Sequence, residues 1–501
     1  MRCGNFFRSN LLLVLVTCVS SALGTSVLLG TRVETLPAPV INGNSFEVLI
    51  NSRYSVHSGF EEDLPVQVLA NVLWAMSRVP YSGDYREFYV ATPENVYRYE
   101  PASRTLRLHL AGDHRYNSGS AFEIGVATPR QEDAGMAIQA GLLAGISFWS
   151  DTGEVVCCPM KWAADFANNN WRPAQQIKMV NVFGRAPARG LDTTVVAFSS
   201  DSSLPLPITN STDTFEVVLW NLKQDSVFTG ASLSLETVSQ LLWAGYGVTP
   251  HFTINGRQGL TVPSALAGYF LTGRIYLVTG EGIDRYWNRL PGGGLNTRDH
   301  RLERMVTGDW RIALRNASSR IPGTAPVYIV VCVDDTVTYQ TLQEAGFVAF
   351  NLLMQARALG LSAYLTLPLS IAERVAIKSA LFLPDDHHPV LVFSCGEGAT
   401  GVRERRLREG VVQIVRAQPA VRKGSFRLEY RLRQSGLVRI EVFDLLGRPV
   451  KTLLEARQST GYHSIVWDGT DARGNPVRRG SYLINITVNG EIAQHKVTWS
   501  K

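Results

Sequence analysis

The sequence predicts an α+β protein in which two similar halves, each with long helices over a small antiparallel sheet, precede a small β-sandwich. Three observations lead there. A set of short patterns occurs twice in the same order. Each copy mixes helical spacing with short apolar runs. From about Gln413 the pattern changes to strict apolar–polar alternation. The length of 501 residues allows about three domains at roughly 150 residues each. With 45% hydrophobic and 18% charged residues, the chain is an ordinary globular mixture, which excludes disordered and collagenous classes.

The N-terminus reads as a secretory signal at residues 1–24. Arg2 and Arg8 form a basic start, and Leu11 to Val19 is an apolar core too short to span a bilayer. Ala22-Leu23-Gly24 places small residues before a cleavage point at Thr25. A lipoprotein reading through Cys18 is a poor fit, because Thr17 precedes it. Export is therefore expected, with periplasmic transit to the cell surface or medium. No other apolar run is long enough for a mature membrane span. Lys plus Arg number 49 and Asp plus Glu 43, a net charge of +6. Removing Arg2 and Arg8 leaves +4. So small and dispersed a charge argues against nucleic acid as a partner.

The two halves run from about 40 to 190 and from 213 to 410. Phe46-Glu47-Val48-Leu49 recurs as Phe215-Glu216-Val217-Val218, and Val72-Leu73-Trp74-Ala75 as Leu241-Leu242-Trp243-Ala244, both offset by 169 residues. Arg98-Tyr99 returns as Arg285-Tyr286. Gly112-Asp113-His114-Arg115 returns as Gly308-Asp309-Trp310-Arg311. Gly135 and Gly346 each open an apolar helical run. Val180 to Gly184 matches Leu391 to Gly396, where the offset has grown to 212. One match would be chance; six in order imply a duplicated domain with loop insertions. The Ser-rich stretch Ser199 to Pro205 lies in a linker assigned to 191–212.

Each half opens with a helix, followed by a second helix that carries the Leu-Trp-Ala pattern and starts near Pro65 or Ser234. Short strands such as Glu87–Ala91 and Ile275–Val278 follow. Phe347, Phe350, Leu353, Met354 and Ala358 keep helical spacing. A helix near Ile371–Phe382 leads to a buried strand, Pro389–Phe393. Trp74 and Trp243 read as core anchors. Once the signal is removed, Cys157, Cys158, Cys332 and Cys395 remain. They lie in apolar runs and read as buried strand cysteines rather than disulfides. Asp385-Asp386-His387-His388 has the composition of a metal cluster but the setting of a solvated loop, so no metal site is expected. Gly292-Gly293-Gly294 lacks a preceding strand and a following helix and reads as a loop, not a phosphate cradle.

Residues 413–501 form the third domain. Phe426, Leu428, Tyr430 and Leu432 make one strand face, and Val438, Ile440 and Val442 another. Ser464–Trp467, Tyr482–Ile486 and Lys496–Trp499 follow. Leu446–Pro449, Asp468-Gly469 and Arg473–Pro476 mark turns. Short strands at regular spacing indicate a β-sandwich.

Residues 45–400 resemble the nitroreductase superfamily, in particular its SagB-like (azoline dehydrogenase) branch. The resemblance rests on Arg53-Tyr54-Ser55-Val56-His57, Leu69, Leu73 and Trp74, and Val96-Tyr97-Arg98-Tyr99-Glu100-Pro101. It continues through Thr261-Val262-Pro263-Ser264-Ala265, Ala349–Leu353 through Ala358–Leu361, and Leu383-Pro384. It implies FMN as cofactor, held between two copies of the fold, here two halves of one chain forming an internal pseudo-dimer in a monomer. FMN's phosphate calls for fixed guanidinium and hydroxyl donors. Its ring calls for an apolar wall and donors where negative charge gathers on reduction. The resemblance puts the phosphate contacts on the first helix at Arg53, Ser55 and His57, and after the last strand at Arg185 or Arg189. It puts the ring wall at Pro263, Ser264 and Ala265 of the other half. His57 stands where a permanent cation is usual, and Ala267 where a polar side chain is. The complementary site has Leu222, Gln224 and Ser226 at the phosphate positions and Pro80-Tyr81-Ser82-Gly83 as wall. Lys223 is shifted by one residue. One FMN per chain is therefore expected. A cofactor-free binding scaffold is the rival reading. No catalytic residue is assigned, and the small-molecule substrate stays open because the flavin carries the redox chemistry.

Val442–Arg448, His463, Trp467-Asp468-Gly469 and Gly480-Ser481-Tyr482 resemble two related Ig-like families. One is the type IX secretion C-terminal sorting domain and the other the flagellar hook-capping domain. The terminal position and the signal favour sorting, with the secretion machinery as partner.

Overall fold

The structure is a computed structural model. It describes residues 33–56, 60, 64–148, 154–156, 161–185, 196, 198, 204–253, 255–398, 412–419, 425–432, 434–444, 449–488 and 491–499. The signal segment, Cys157, Cys158, His57, Arg189 and most of the linker lie outside the described residues.

In the first half, β1 (Val33–Thr35) precedes α1 (Phe46–Ser52) and α2 (Val66–Arg78). A meander of β2 (Glu87–Ala91), β3 (Asn95–Glu100) and β4 (Thr105–Ala111) leads to β5 (Phe122–Ala127). Then come α3 (Gln131–Ile146), β6 (Glu154–Val156), α4 (Lys161–Asn170) and β7 (Ile177–Arg185). The second half begins with α5 (Phe215–Trp220), α6 (Leu235–Tyr246) and a hairpin of β8 (Val248–Phe252) and β9 (Gln258–Leu260). Next come β10 (Ile275–Val278), β11 (Gly282–Trp287), β12 (Arg301–Thr307), α7 (Arg311–Asn316) and β13 (Val327–Val333). It ends with α8 (Tyr339–Ala358), β14 (Ser362–Thr366), α9 (Ile371–Ala380) and β15 (His388–Gly396).

The sheets have the orders β1-β4-β3-β2-β5-β7-β6 and β12-β11-β10-β13-β15-β14. Apart from β1, the second order repeats the first strand for strand. Their pairings are antiparallel. At six and seven strands, each sheet is larger than the small sheet expected. The strands β4 and β12 are largely exposed or half-buried, which a search for short apolar runs overlooks.

Sequence chemistry sets the helix ends. Pro65 and Ser234 are the N-caps of α2 and α6, and the Ser234 hydroxyl accepts from the Thr237 amide. Thr338 and Thr341 form a capping box on α8, as Ser370 and Glu373 do on α9. The first helices are shorter than expected. α1 stops at Ser52, and Arg53 is its C-cap with ψ 126°. Arg53 and Ser55 therefore do not lie on the helix. Lys223 likewise follows the end of α5 and pairs with Asp225 at 3.6 Å, on the surface.

α2, α3, α6 and α8 share one apolar core that runs through both halves and includes Leu69, Leu73, Ala137, Leu241, Phe350 and Leu353. α3 and α8 cross with their backbones close together. A Cβ on Gly135 would collide with the Gln343 carbonyl, and one on Gly346 with the Glu132 carbonyl. The contact is reciprocal: each glycine meets the residue three before the other. Gln139 bonds Asn351 at 3.1 Å and Gln131 bonds Gln343 at 2.8 Å along the same seam. Glu47 of α1 accepts from the Ser211 hydroxyl at the end of the linker (2.6 Å) and from the Gln355 side-chain amide of α8 (2.9 Å).

Trp243 is fully buried, and Trp74 stacks on the exposed Trp220 at 6.0 Å. Cys332 and Cys395 are both buried. The C-terminal strands form sheets β16-β17-β20 and β19-β18-β21-β22, comprising β16 (Val412–Pro419), β17 (Phe426–Leu432), β18 (Gly436–Asp444), β19 (Pro449–Gln458), β20 (Gly461–Trp467), β21 (Gly480–Val488) and β22 (Glu491–Trp499). Phe426, Tyr430, Ile440, Trp467, Ile484 and Trp499 fill the space between them. Gly469, at φ +69°, makes the turn over which the Trp499 ring lies. Among the described residues, no helix is long and apolar enough to cross a membrane.

Candidate functional site

Arg53 leaves the end of α1 and crosses into the second half. The residue is buried. Its Nη2 donates to the carbonyls of Leu260 (3.2 Å) and Val262 (3.0 Å), and its Nη1 donates to the Ser55 hydroxyl at 3.4 Å. Val262 immediately precedes Pro263, and Leu260 lies three residues before it. The structure therefore brings together Arg53, Ser55 and the Pro263–Ala265 loop, which are more than 200 residues apart in the chain. Arg185 ends β7, opposite Glu154 of β6.

The Ser264 hydroxyl donates to Glu344 in the first turns of α8 and accepts from the Tyr269 amide at 2.8 Å. The Tyr246 hydroxyl donates to the same carboxylate, and the Leu271 amide donates to it at 3.3 Å. Glu344 is buried, and that burial pushes its carboxyl up to about 7 despite these donors. It fixes the loop after Pro263 from two sides. Leu266, Ala267 and Tyr269 have φ of +52°, +51° and +49°. Three non-glycine residues in the left-handed region within one loop store strain that the surrounding bonds maintain.

The β8–β9 hairpin packs beside this loop, and Tyr54 meets His251 edge-on at 6.2 Å. Arg289, in the turn after β11, is buried with its guanidinium 4.8 Å from the Tyr269 ring centroid, and its Nη2 donates to the Gln258 carbonyl at 3.0 Å. Its Nε and Nη1 are buried and meet no acceptor among the described residues. An anionic group would fit these donors, as the phosphate or electron-rich ring edge of FMN requires.

The complementary position is built differently. Ser82 and Gly83 bind Asp133 of α3 through two amides at 3.0 Å and the Ser82 hydroxyl. This serine–acid latch matches that of Ser264 and Glu344. The Gln224 amide oxygen, however, accepts from the Leu365 amide at 2.7 Å and ties the chain to the edge strand β14. Leu222 packs against the core.

Sequence reading missed Glu344, Tyr246, Tyr269 and Arg289. Glu344 could have been found, because Asp133 stands at the matching position of α3. Arg289 lies in a turn with no periodic signal. Outside the site, His387 is buried against the Tyr276 hydroxyl at 2.5 Å, and that burial lowers its pKa to about 4. His388 pairs with Asp335 at 2.6 Å, and Asp386 with Arg274 at 3.0 Å. Among the described residues, no group of three or more His, Cys, Asp or Glu could hold a metal.

Residues 226–397 match the model of the Nitroreductase family, and residues 419–491 that of the FlgD Ig-like domain. Residues 226–397 are thus similar to a nitroreductase family domain, within a mixed α/β fold, and residues 419–491 to an Ig-like β domain. Among solved structures, one described as a nitroreductase from Anabaena variabilis is similar at 12% identity and TM-score 0.48, covering 69% of this chain and 93% of its own. A Desulfovibrio desulfuricans nitroreductase in complex with FMN has 18% identity and TM-score 0.26, over 38% of this chain and 90% of its own. The E. coli microcin synthetase complex has 16% identity and TM-score 0.27, over 42% and 77%. No curated protein sequence matches the chain.

Proposed function

We propose that this chain is an exported FMN-binding oxidoreductase of the SagB-like type. In this reading two tandem nitroreductase-like halves form an internal pseudo-dimer that holds one flavin. The observation that carries it is the reach of Arg53 to the Leu260 and Val262 carbonyls, because it joins the phosphate side of one half to the ring-wall loop of the other. The duplication is supported by the matching sheet orders, the paired latches Ser82–Asp133 and Ser264–Glu344, and the reciprocal contacts of Gly135 and Gly346. Bound FMN would supply the electron and hydride chemistry. The protein's part would be to hold it: Arg53 and Ser55 at one end, and the Pro263–Ala265 backbone, kept in place by Glu344, at the other. The single stoichiometry rests on Leu222 and Gln224, which bring no cation to the second position. The Ig-like region, in a chain that opens with a signal-like segment, would serve delivery through the type IX machinery.

FMN content of natively exported protein, read from absorbance near about 450 nm, tests the reading. One flavin per chain is expected; none, with no uptake of added FMN, rejects it. One observation favours a cofactor-free scaffold instead: Arg53 and Ser264 already have protein partners. A colourless protein indifferent to FMN would establish that alternative.

A further inference from the structure

The cations around β9 are out of balance with the acids. Arg257 donates to the carbonyls of Leu266 and Ala267. Arg298 donates to the Gln258 side-chain oxygen at 2.6 Å and lies 5.8 Å from the Phe252 ring. Arg289 has the Gln258 carbonyl and the Tyr269 ring. All these described partners are neutral; none is a carboxylate. Glu344, the acid that acts on Arg289 electrostatically, is committed to Ser264 and Tyr246.

Position adds to this. Alternate carbonyls of an extended strand point the same way, about 7 Å apart. Within β9, Arg289 takes the carbonyl of Gln258 and Arg53 that of Leu260; Arg53 also takes the carbonyl of Val262, beyond the end of the strand. The two guanidiniums thus lie in succession along one edge of β9. A purely structural Arg289, bracing the hairpin through Gln258, would need one donor. It has two more, Nε and Nη1, sealed from water in a residue 2% exposed. Dry, unpaired donors on a cation are costly, and an oxyanion removes that cost.

We propose that Arg289 anchors a buried oxyanion site that takes a phosphate monoester or a carboxylate through Nε and Nη1, with Arg53 adding to the field. The site goes beyond the flavin reading and does not require it: the oxyanion could be the phosphate of FMN or the carboxylate of a substrate.

The test is isothermal titration of the full chain at low ionic strength with inorganic phosphate and with acetate, then with FMN and riboflavin. The parent should bind an anion. Arg289→Gln should weaken it by about ten- to hundredfold, while Lys223→Ala should leave it unchanged. Phosphate binding, together with a preference for FMN over riboflavin that Arg289→Gln abolishes, identifies the phosphate monoester. Acetate binding with no such preference identifies the carboxylate. Far-UV circular dichroism checks that the variant is folded. If Arg289→Gln fails to fold, Arg289→Lys takes its place, and a severalfold loss is expected because charge is kept while donors are lost. No anion binding by the folded parent, or equal binding by parent and variant, overturns the site even where FMN itself still binds.

Discussion

Glu344→Gln should change how stability depends on pH. In the folded chain the Glu344 carboxyl is pushed up to about 7 by burial, against an ordinary value of 4.5. The folded state therefore holds a proton that the unfolded state has already released at intermediate pH. The stability from this group is fully present below about 4.5 and is lost as pH rises through about 7. A displacement of that size corresponds to about 3 kcal/mol. Glutamine keeps the acceptor oxygen for Tyr246 and one neighbour and cannot ionise, so it removes the dependence. Other buried acids, such as Glu123, also pushed up to about 7, are present in both proteins and cancel in the comparison. Urea unfolding followed by tryptophan fluorescence, at several values between pH 5 and pH 8, is the assay. Relative to the parent, Glu344→Gln should gain about 2–3 kcal/mol across that range. Curves that stay parallel would show that Glu344 ionises normally, and the account of the loop latch would fail.

Arg53→Ala should weaken FMN by about ten- to hundredfold, whereas Lys223→Ala should change little; flavin fluorescence titration decides, and equal losses would reject the asymmetric site. Gly346→Ala should destabilise the helix crossing by about 1–3 kcal/mol or more, because the Glu132 carbonyl is backbone and cannot swing aside; an unchanged urea midpoint would contradict the close approach. Deleting residues 413–501 should leave the remainder folded but retained before the outer membrane; undiminished delivery to the surface or medium would refute the sorting role.

The sheet-and-helix plan was legible because apolar spacing is a local property. Trp74, Trp243 and the Phe347–Ala358 face could be placed from their neighbours alone. What escaped depends on distant residues. Arg53 was expected on a helix, yet the chain turns out of α1 at that residue, where its guanidinium meets carbonyls 207 and 209 residues away. Glu344 gains its importance only from the enclosure that Ser264, Tyr246 and Leu271 make around it. Arg289 sits in a turn whose local sequence, Asn288-Arg289-Leu290-Pro291, is that of any surface loop. Its burial comes from the hairpin folded over it.

Gly135 and Gly346 belong to one polypeptide, so the pressing together of α3 and α8 does not weaken on dilution. Between separate molecules such a contact would follow mass action. Here its cost is the entropy of closing a loop, which grows only as the logarithm of the intervening length. Within one chain, each face of the seam can also mutate alone. In an assembly of identical copies every substitution arrives twice. Along this seam Gln139 faces Asn351 while Gln131 faces Gln343, and one partner of either pair can change while the other is kept.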